Sequence, residues 1–361
     1  MSASNVRQQP RFAIIGAGMS GILAAIKLRE ADLDFTVFEK ADRVGGTWRE
    51  NTYPGIACDV PSHIYSYSFE LNPDWSWLCS PGAEIQDYFE NITRRRELES
   101  GIRFGDAVVR CEWTDDRWEV ETESGYTDEF EWVIAATGIL HHPKLPEIEG
   151  LHSFEGPKFH SARWDHDVPL DDRRIGIIGT GSSGIQITGA LAHRARKFSL
   201  FQRTAQWVVP VEQVPYSDEQ RQEFRTDADL LRNLHEQLSN SFNDGFATQV
   251  LDGNSDLIQS IEDTCTKHLE ESITDPELRE KLRPDYRAAC KRLVVSHNFY
   301  EAIQDPNAEL VTESISRIEP KGVRTEDGRL HELDVLALAT GFQVDRFMRP
   351  MAIKGRDGLL L

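Results

Sequence analysis

The chain opens with a succession of apolar and polar segments that is typical of a strand, a turn, a helix and a second strand. Residues 12–15 are apolar and run into a glycine-rich turn at 16–21. From there to about Glu30 the apolar residues recur at helical spacing, and residues 35–38 form the next apolar run. This order predicts a βαβ unit, in which two parallel strands are joined by a helix packed on one face.

The same order returns in the second half of the chain. Arg174–Ile178 is an apolar run that leads into the glycine-rich turn 179–184. A helix is predicted from there through Leu191, and residues 198–201 form the second strand. Two such units predict an α/β fold with two Rossmann-like dinucleotide-binding domains.

Other apolar runs and turn signals fill in the prediction. Residues 132–136 have the pattern of a fully buried strand, and residues 323–330 that of a hairpin with its turn at Asp327-Gly328. Residues 217–290 hold charged and amphipathic stretches without strand signals, which predicts a helical insertion in the second domain. Residues 334–341 repeat the pattern of 132–138 and are interpreted as the chain crossing back to the first domain.

Charge and cysteine content narrow the partners. The 361-residue chain carries a formal net charge of −20, which argues against nucleic acid and against an anionic membrane surface. Its five cysteines form no CxxC pair and suit free thiols in a reducing compartment. The chain also lacks the roughly 20 consecutive apolar residues of a membrane span, and residues 1–11 lack the apolar core of a signal peptide. We therefore expect a cytoplasmic protein.

Each glycine-rich turn follows an apolar strand and precedes a helix, which is the context that makes GxGxxG informative. A pyrophosphate there lies against free backbone N–H groups at the positive end of the helix dipole. The first turn supplies Gly16, Gly18, Ser20 and Gly21, and the second supplies Gly179, Thr180, Gly181, Ser182, Ser183 and Gly184.

The residues at the end of each second strand separate the two ligands. Glu39 follows the first glycine-rich turn at close to the spacing of about 20 residues at which a carboxylate accepts hydrogen bonds from a ribose diol. It would repel a 2′-phosphate, so the first site fits FAD or NAD. At the equivalent position of the second unit stand Arg203 and Thr204, whose guanidinium and hydroxyl suit the 2′-phosphate of NADPH.

These assignments give bounds for the domains. The predicted segments are 1–142 for the first part of the FAD domain, 143–216 for a linker and the first part of the NADP domain, 217–290 for the helical insertion, 291–338 for the second part of the NADP domain, and 339–361 for the return to the FAD domain.

Two further segments carry a resemblance to a known family. Residues 154–165 match FxGxxxHxxxW(P/D) through Phe154, Gly156, His160 and Trp164-Asp165, directly ahead of the second fingerprint. Residues 45–65 match GGTW…YPG…CD. In these motifs, and over nearly its whole length, the chain resembles Baeyer–Villiger monooxygenases, which are flavoproteins that use FAD and NADPH.

The resemblance implies roles for particular residues. Arg292 and Asp59 would be catalytic, with Asp59 also beside the flavin, and His160 would lie in the linker and couple the position of NADP to domain movement. The remaining residues that it places at the cofactors are Gly46, Thr47, Trp48, Tyr65, Val108, Trp164 and Gln186.

The reaction that the resemblance implies inserts one oxygen atom of O2 beside a ketone carbonyl, through a flavin peroxide, and yields an ester or lactone. Such an anion needs a positive charge and a dry pocket. Arg292 would supply the charge, and Asp59 would orient it and help to offset the cost of burying it.

Three alternatives stay open. A flavin monooxygenase that oxidises nitrogen or sulfur would use the same cofactors, but Trp164-Asp165 and Arg292 speak against it. An NADPH-dependent disulfide reductase would need a redox CxxC or its spaced variant, and the sequence contains neither. Because the family continues beyond the position that corresponds to Leu361, we expect the C-terminal remainder of the FAD domain to be missing, and the chain could be an inactive fragment or a binding module.

Overall fold

The computed structural model describes residues 9–361, which form two compact units. Residues 51–84 group with the second unit, although they lie inside the segment 1–142 that the sequence analysis assigns to the first domain. Among the described residues, the first unit comprises 9–50, Ile85–Pro143 and Phe342–Leu361, and the second comprises Asn51–Glu84 and Lys144–Gly341.

The first unit is built on a four-stranded parallel sheet. Its strands lie in the order Ile102–Arg103, Asp34–Phe38, Arg11–Ile15 and Trp132–Ala135. The helix Met19–Glu30 joins the two βαβ strands, which pair in parallel. The other helices are Thr47–Glu50 and Gly82–Arg95, with short 3-10 helices at Leu98–Gly101, Val344–Arg346 and Arg356–Gly358.

A second sheet completes this unit and encloses its core. Its strands lie in the order Ala352–Lys354, Val108–Thr114, Arg117–Thr122 and Thr127–Phe130. Side chains from both sheets meet in one apolar cluster, which includes Ile15, Phe38, Cys111, Val120 and Phe130. Burying these side chains stabilises the unit by roughly 1.5–3 kcal/mol each.

The prediction that residues 132–136 are a fully buried strand is wrong. Among residues 9–361, the strand Trp132–Ala135 pairs only with Arg11–Ile15 and lies at the edge of the parallel sheet, and Trp132 is 58% exposed. The apolar run therefore correctly predicts a strand here, but it does not predict whether that strand lies at the centre or at the edge of the sheet.

The second unit holds a five-stranded parallel sheet. Its strands lie in the order Ala308–Val311, Lys197–Phe201, Arg174–Ile178, Val335–Leu338 and Lys158–His160. The helix Ser182–Leu191 connects the two strands of the predicted βαβ unit. The predicted α/β fold is therefore confirmed, because each unit contains a parallel sheet with a βαβ crossover.

Smaller elements flank the second sheet. The remaining strands are Val208–Pro210 paired with Val294–Ser296, and the antiparallel set Ile315–Glu319, Gly322–Thr325 and Leu330–Glu332. The remaining helices outside residues 217–290 are Phe299–Ala302 and the short 3-10 helices Leu151–Ser153, Ser161–Arg163 and Ala192–Arg194.

Residues 218–281 are mostly helical in the structure, whereas 282–290, the end of the predicted insertion, form turns and irregular backbone. Side-chain caps mark where the helices begin. Ser217 forms a capping box with Gln220, and Asp227, Asn254 and Asp275 each accept hydrogen bonds from the first turn of the helix that follows. The helices are Asp218–Thr226, Ala228–Phe242, Thr248–Leu251, Ser255–Ser272 and Pro276–Lys281, with a π-helical turn at Asn243–Ala247.

The chain returns to the first unit later than expected. The strand Val335–Leu338 pairs with Arg174–Ile178 and Lys158–His160 and is fully buried in the second sheet. Residues 334–341 and 132–138 are similar because each segment contains a parallel strand and the turn that follows it. The two strands belong to different units. Residues 342–361 belong to the first unit.

A network around Glu309 joins the antiparallel strands to the parallel sheet of the second unit. Its Oε1 accepts a hydrogen bond from Ser199 Oγ at 2.8 Å, lies 2.9 Å from His331 Nδ1, and pairs with Lys197 Nζ at 3.0 Å. Burial raises the pKa of Glu309, but the bonds from His331, Ser199 and Lys197 outweigh it and hold the pKa at about 2.

We expect Glu309→Gln to lower the free energy of unfolding by about 1–2 kcal/mol at pH 7, because charge-assisted hydrogen bonds are lost. The pKa of Glu309 is lower in the folded state than its ordinary value of 4.5, so the ionised carboxylate stabilises the folded protein at pH values above 4.5. This stabilisation is lost as the pH falls through about 2. The difference in denaturation midpoint from wild type should therefore shrink between about pH 4.5 and 2. Glu326→Gln, which changes an exposed carboxylate in the turn between Gly322–Thr325 and Leu330–Glu332, is the control. An equal effect of both variants at every pH would contradict this account.

Candidate active site

The first glycine-rich turn is shaped by close backbone contacts. Gly16 has φ +102°, and a Cβ there would lie 2.6 Å from Ala136 O. A Cβ on Gly21 would lie 1.9 Å from Gly16 O, so only glycine fits. The N-cap of helix Met19–Glu30 is Gly18, which has no side-chain cap. Because no side chain caps this helix, the backbone N–H groups of Ser20 and Gly21 in its first turn can face a pyrophosphate.

A second backbone segment closes on this turn within the first unit. A Cβ on Gly46 would lie 2.9 Å from Gly18 Cα. Gly45 has φ +118° and packs on Gln86, whose Nε2 donates to Val44 O at 2.8 Å. Two glycine turns in contact form a cradle that any Cβ would fill, and this fits a bound dinucleotide. Gln86 is a supporting residue that sequence reasoning missed.

Glu39 lies buried at the end of its strand, with 3% of its surface exposed. Its Oε2 accepts from Ala17 N–H at 2.8 Å and its Oε1 accepts from Ala41 N–H at 3.0 Å. Arg49 Nη1 pairs with Oε1 at 2.9 Å. A carboxylate has about four acceptor positions, so Glu39 can still receive a ribose hydroxyl. Sequence reasoning missed Arg49, which pairs with this buried charge.

The other predicted residues of the first unit lie on three different elements. Thr47 and Trp48 begin the helix Thr47–Glu50 and are half-buried, Ser20 is exposed in the first turn of Met19–Glu30, and Val108 begins a strand and is half-buried.

The second glycine-rich turn repeats the first. Gly179 has φ +112°, and a Cβ on Gly184 would lie 2.0 Å from Gly179 O. Gly181 faces open space and caps the helix Ser182–Leu191 without a side chain. Ser182 Oγ is buried and has no hydrogen-bond partner among residues 9–361. An unpaired buried hydroxyl beside free helical N–H groups fits a phosphate ligand.

Arg203 and Thr204 follow the strand Lys197–Phe201. The Thr204 carbonyl accepts from Thr180 Oγ1 at 3.0 Å, which connects this position to the glycine turn. Arg203 is exposed, and its guanidinium makes no ion pair within the part of the chain that the structure describes. Its charge is thus available to an anionic ligand.

His160 ends the strand Lys158–His160 and is 4% exposed. Its Nδ1 accepts from Ala162 N–H at 3.1 Å. Burial lowers the pKa of His160 to about 4, against the opposing effect of a hydrogen bond with the Gly341 backbone, so the ring is neutral at pH 7. Trp164 lies in the core, with its ring edge-on to Phe159 at 4.8 Å. Their contact with a cofactor stays a prediction.

Arg292 and Asp59 meet in the second unit. Arg292 Nη2 donates to Asp59 Oδ2 in a hydrogen bond between charged groups. The side chain of Arg292 is 73% exposed and that of Asp59 is 24% exposed. The structure brings the two predicted residues together, but the guanidinium is not buried in the way that the sequence analysis expects.

The segment around Asp59 contains two more predicted residues. The N–H of the half-buried Tyr65 donates to Ser62 O at 3.0 Å. Gln186 lies one turn into the helix Ser182–Leu191, and its side chain bonds Tyr53 and the carbonyl of Ala57. Tyr53 is a further residue that sequence reasoning missed.

Two other features of the described residues bear on chemistry. Residues 9–361 contain no group of three or more His, Cys, Asp and Glu side chains arranged to share a metal ion. All five cysteines are free, and Cys290 is the exposed one. In the same part of the chain, we find no helix of sufficient length and apolarity to cross a membrane.

Comparison with known proteins decides the family. The profile of the flavin-binding monooxygenase-like family matches residues 9–348. The chain belongs to this family. As a flavin-binding monooxygenase it is an oxidoreductase, so the predicted flavoprotein monooxygenase is confirmed.

Individual relatives refine this result. A Baeyer–Villiger monooxygenase of Streptomyces coelicolor is 38% identical over 99% of this chain and 69% of its own length. An uncharacterized monooxygenase of Mycobacterium tuberculosis is 48% identical over 97% of this chain and 70% of its own. The chain thus spans about 70% of the length of these relatives. The resemblance to Baeyer–Villiger monooxygenases is confirmed.

Solved structures agree with the fold of this monooxygenase. An open crystal structure of cyclohexanone monooxygenase has a TM-score of 0.86 at 34% identity and covers 98% of this chain and 77% of its own. The enzyme from Rhodococcus sp. Phi1 bound to NADP+ has a TM-score of 0.85 at 33% identity, over 98% of this chain and 75% of its own.

Proposed function

We propose that this monooxygenase uses FAD and NADPH to insert one oxygen atom beside a ketone carbonyl, as a Baeyer–Villiger enzyme. The observation that carries the proposal is the ion pair between Arg292 and Asp59 in a chain with two glycine cradles. A relative crystallised with cyclohexanone supports a ketone as the substrate class. The free cysteines support the cytoplasm as the location.

The residues of the first unit would hold FAD, which when bound supplies the oxygen-activating redox chemistry. The cradle of Gly16, Gly18 and Gly46 receives the pyrophosphate against free helical N–H groups. Glu39 accepts from a ribose hydroxyl, while Arg49 limits the cost of its burial.

The residues of the second unit would hold NADPH. Gly181 leaves room for the pyrophosphate, and Ser182 Oγ can donate to it. Arg203 would pair with the 2′-phosphate, which is the only charged difference between NADPH and NADH.

Arg292 would stabilise negative charge on oxygen during attack on the ketone carbonyl. A guanidinium remains protonated at any working pH and therefore gives a constant positive charge. Asp59 would fix the direction of its N–H groups through the charged hydrogen bond.

The test is oxidation by flavin-loaded protein of cyclohexanone and, separately, of thioanisole, with NADPH consumption, product and hydrogen peroxide all measured. The proposal expects lactone from cyclohexanone in proportion to NADPH consumed. Sulfoxide alone would favour the alternative monooxygenase that oxidises sulfur. NADPH consumption that yields only peroxide with both compounds would contradict a complete oxygenating site.

A further inference from the structure

The loop that carries Asp59 is hydrogen-bonded to the helix Ser182–Leu191 through the side chain of Gln186. The Tyr53 hydroxyl donates to Gln186 Oε1 at 2.8 Å. Gln186 Nε2 donates to Ala57 O at 3.1 Å. Both polar groups of Gln186 are therefore bonded to the loop, at positions on either side of Gly55.

The backbone of this loop fits closely against the same helix. Gly55 has φ +83°, and a Cβ there would lie 2.5 Å from Gln186 O and 3.0 Å from Ala190 Cβ. Tyr53 is only 6% exposed. Burial raises the pKa of Tyr53, although a hydrogen bond with Ser183 acts against it, so the phenol remains a donor at neutral pH.

The loop has open space on another side. A cavity of about 250 Å³ lies beside it, lined by Gly55, Ala57 and Cys58 from the loop and by Gln213 and Asn298 among the residues around it. Beyond the bonds to Gln186, two backbone bonds hold the loop: Cys58 N–H donates to Ser80 O and Gly82 N–H donates to Ile56 O, each at 3.0 Å. The cavity gives the loop space to shift on this side once the bonds to Gln186 are lost.

We infer that Gln186 and Tyr53 are positioning residues that hold Asp59, and through it Arg292, in the orientation needed for oxygen transfer. The Ala57 carbonyl that Gln186 holds lies two residues before Asp59 in the chain. This inference rests on the proposed function, and it replaces the sequence-based interpretation of Gln186 as a cofactor contact. Gln186 is thus the point at which the nucleotide-binding helix sets the position of the catalytic pair.

The kinetic test compares Gln186→Met, Tyr53→Phe and the double variant in the flavin-loaded protein. Methionine keeps the length of the side chain but removes both hydrogen bonds. We expect less than about a twofold change in the KM for NADPH, with roughly a five- to tenfold fall in product formed per NADPH and a matching rise in peroxide. Tyr53→Phe removes only one of the two bonds and should have the smaller effect. The double variant should be no worse than Gln186→Met, because that variant already lacks both bonds. Gln222→Met, at an exposed helical position, is the matched control.

A second readout does not depend on activity. Amide hydrogen exchange at residues 56–60 should become at least about tenfold faster in Gln186→Met and accelerate less in Tyr53→Phe, while exchange at 174–180 stays as in wild type. A tenfold rise in the KM for NADPH with unchanged coupling and unchanged exchange would overturn the inference and restore Gln186 as a nucleotide contact. If wild-type protein oxidises no ketone, the proposed function fails, and the exchange measurement still decides whether Gln186 holds the loop.

Discussion

Arg292→Ala protein is expected to bind flavin as wild type does and to consume NADPH, but to form less than about one hundredth of the oxygenated product. Removing one preorganised donor from the position where charge develops typically costs a factor of 10² to 10³. The loss would be worsened by Asp59, which would keep its negative charge without its partner. Product and peroxide, measured together against NADPH, would show oxidation without oxygen transfer.

Two further variants test whether oxygen transfer depends on the guanidinium geometry at position 292 or only on a positive charge in this region. Arg292→Lys keeps the positive charge but lacks the planar fork, so we expect partial recovery of product. Arg287→Ala removes a nearby arginine that pairs with Glu262 at 3.2 Å, and it should leave the product yield near that of wild type. Wild-type product from Arg292→Ala, or loss of product from Arg287→Ala, would refute the assignment of Arg292.

The parts of the fold that sequence reasoning predicted are those set by local rules. Both βαβ units follow from short apolar runs and from glycines whose positive φ or close contacts leave no room for a Cβ. The helical insertion was likewise predicted from charged and amphipathic stretches without strand signals, and the structure shows that caps such as Ser217 and Asp275 begin its helices. These signals need only neighbours in the chain.

The features that sequence reasoning missed depend on contacts between distant segments. The link from Gln186 to Tyr53 joins residues 133 positions apart, and no local pattern indicates it. The exposure of Arg292 depends on how the chain packs around it. Trp132 shows the same limit, since an apolar run cannot distinguish a central strand from an edge strand.

The pairing of Glu39 with Arg49 is a part of the site's chemistry that the sequence pattern did not predict. An offset along the chain correctly places a carboxylate at a strand end, but it does not tell how that charge is neutralised. Arg49 lies in the segment 45–65 and reaches back to Glu39, so the loop that resembles the flavin-binding motif also supplies a counter-charge. A substitution at Arg49 would thus act on FAD binding through Glu39.

Arg203→Ala is expected to raise the KM for NADPH by roughly 10- to 100-fold and to leave that for NADH nearly unchanged. A hydrogen bond between charged groups contributes about 1.5–3 kcal/mol, and only NADPH carries the 2′-phosphate that Arg203 would bind. Because Arg203 is exposed, the preference of wild type for NADPH should weaken as ionic strength rises, whereas that of the variant should not.

The measurement is kcat/KM for both nucleotides at low and high salt. Arg203→Lys should lie between wild type and alanine, since it keeps the charge but loses bidentate geometry. Arg317→Ala, an exposed arginine that pairs with Glu319, is the matched control for the loss of one surface charge. Equal losses for NADPH and NADH would mean that Arg203 supports the fold of the turn rather than the phosphate, and an unchanged preference would leave the 2′-phosphate to another residue.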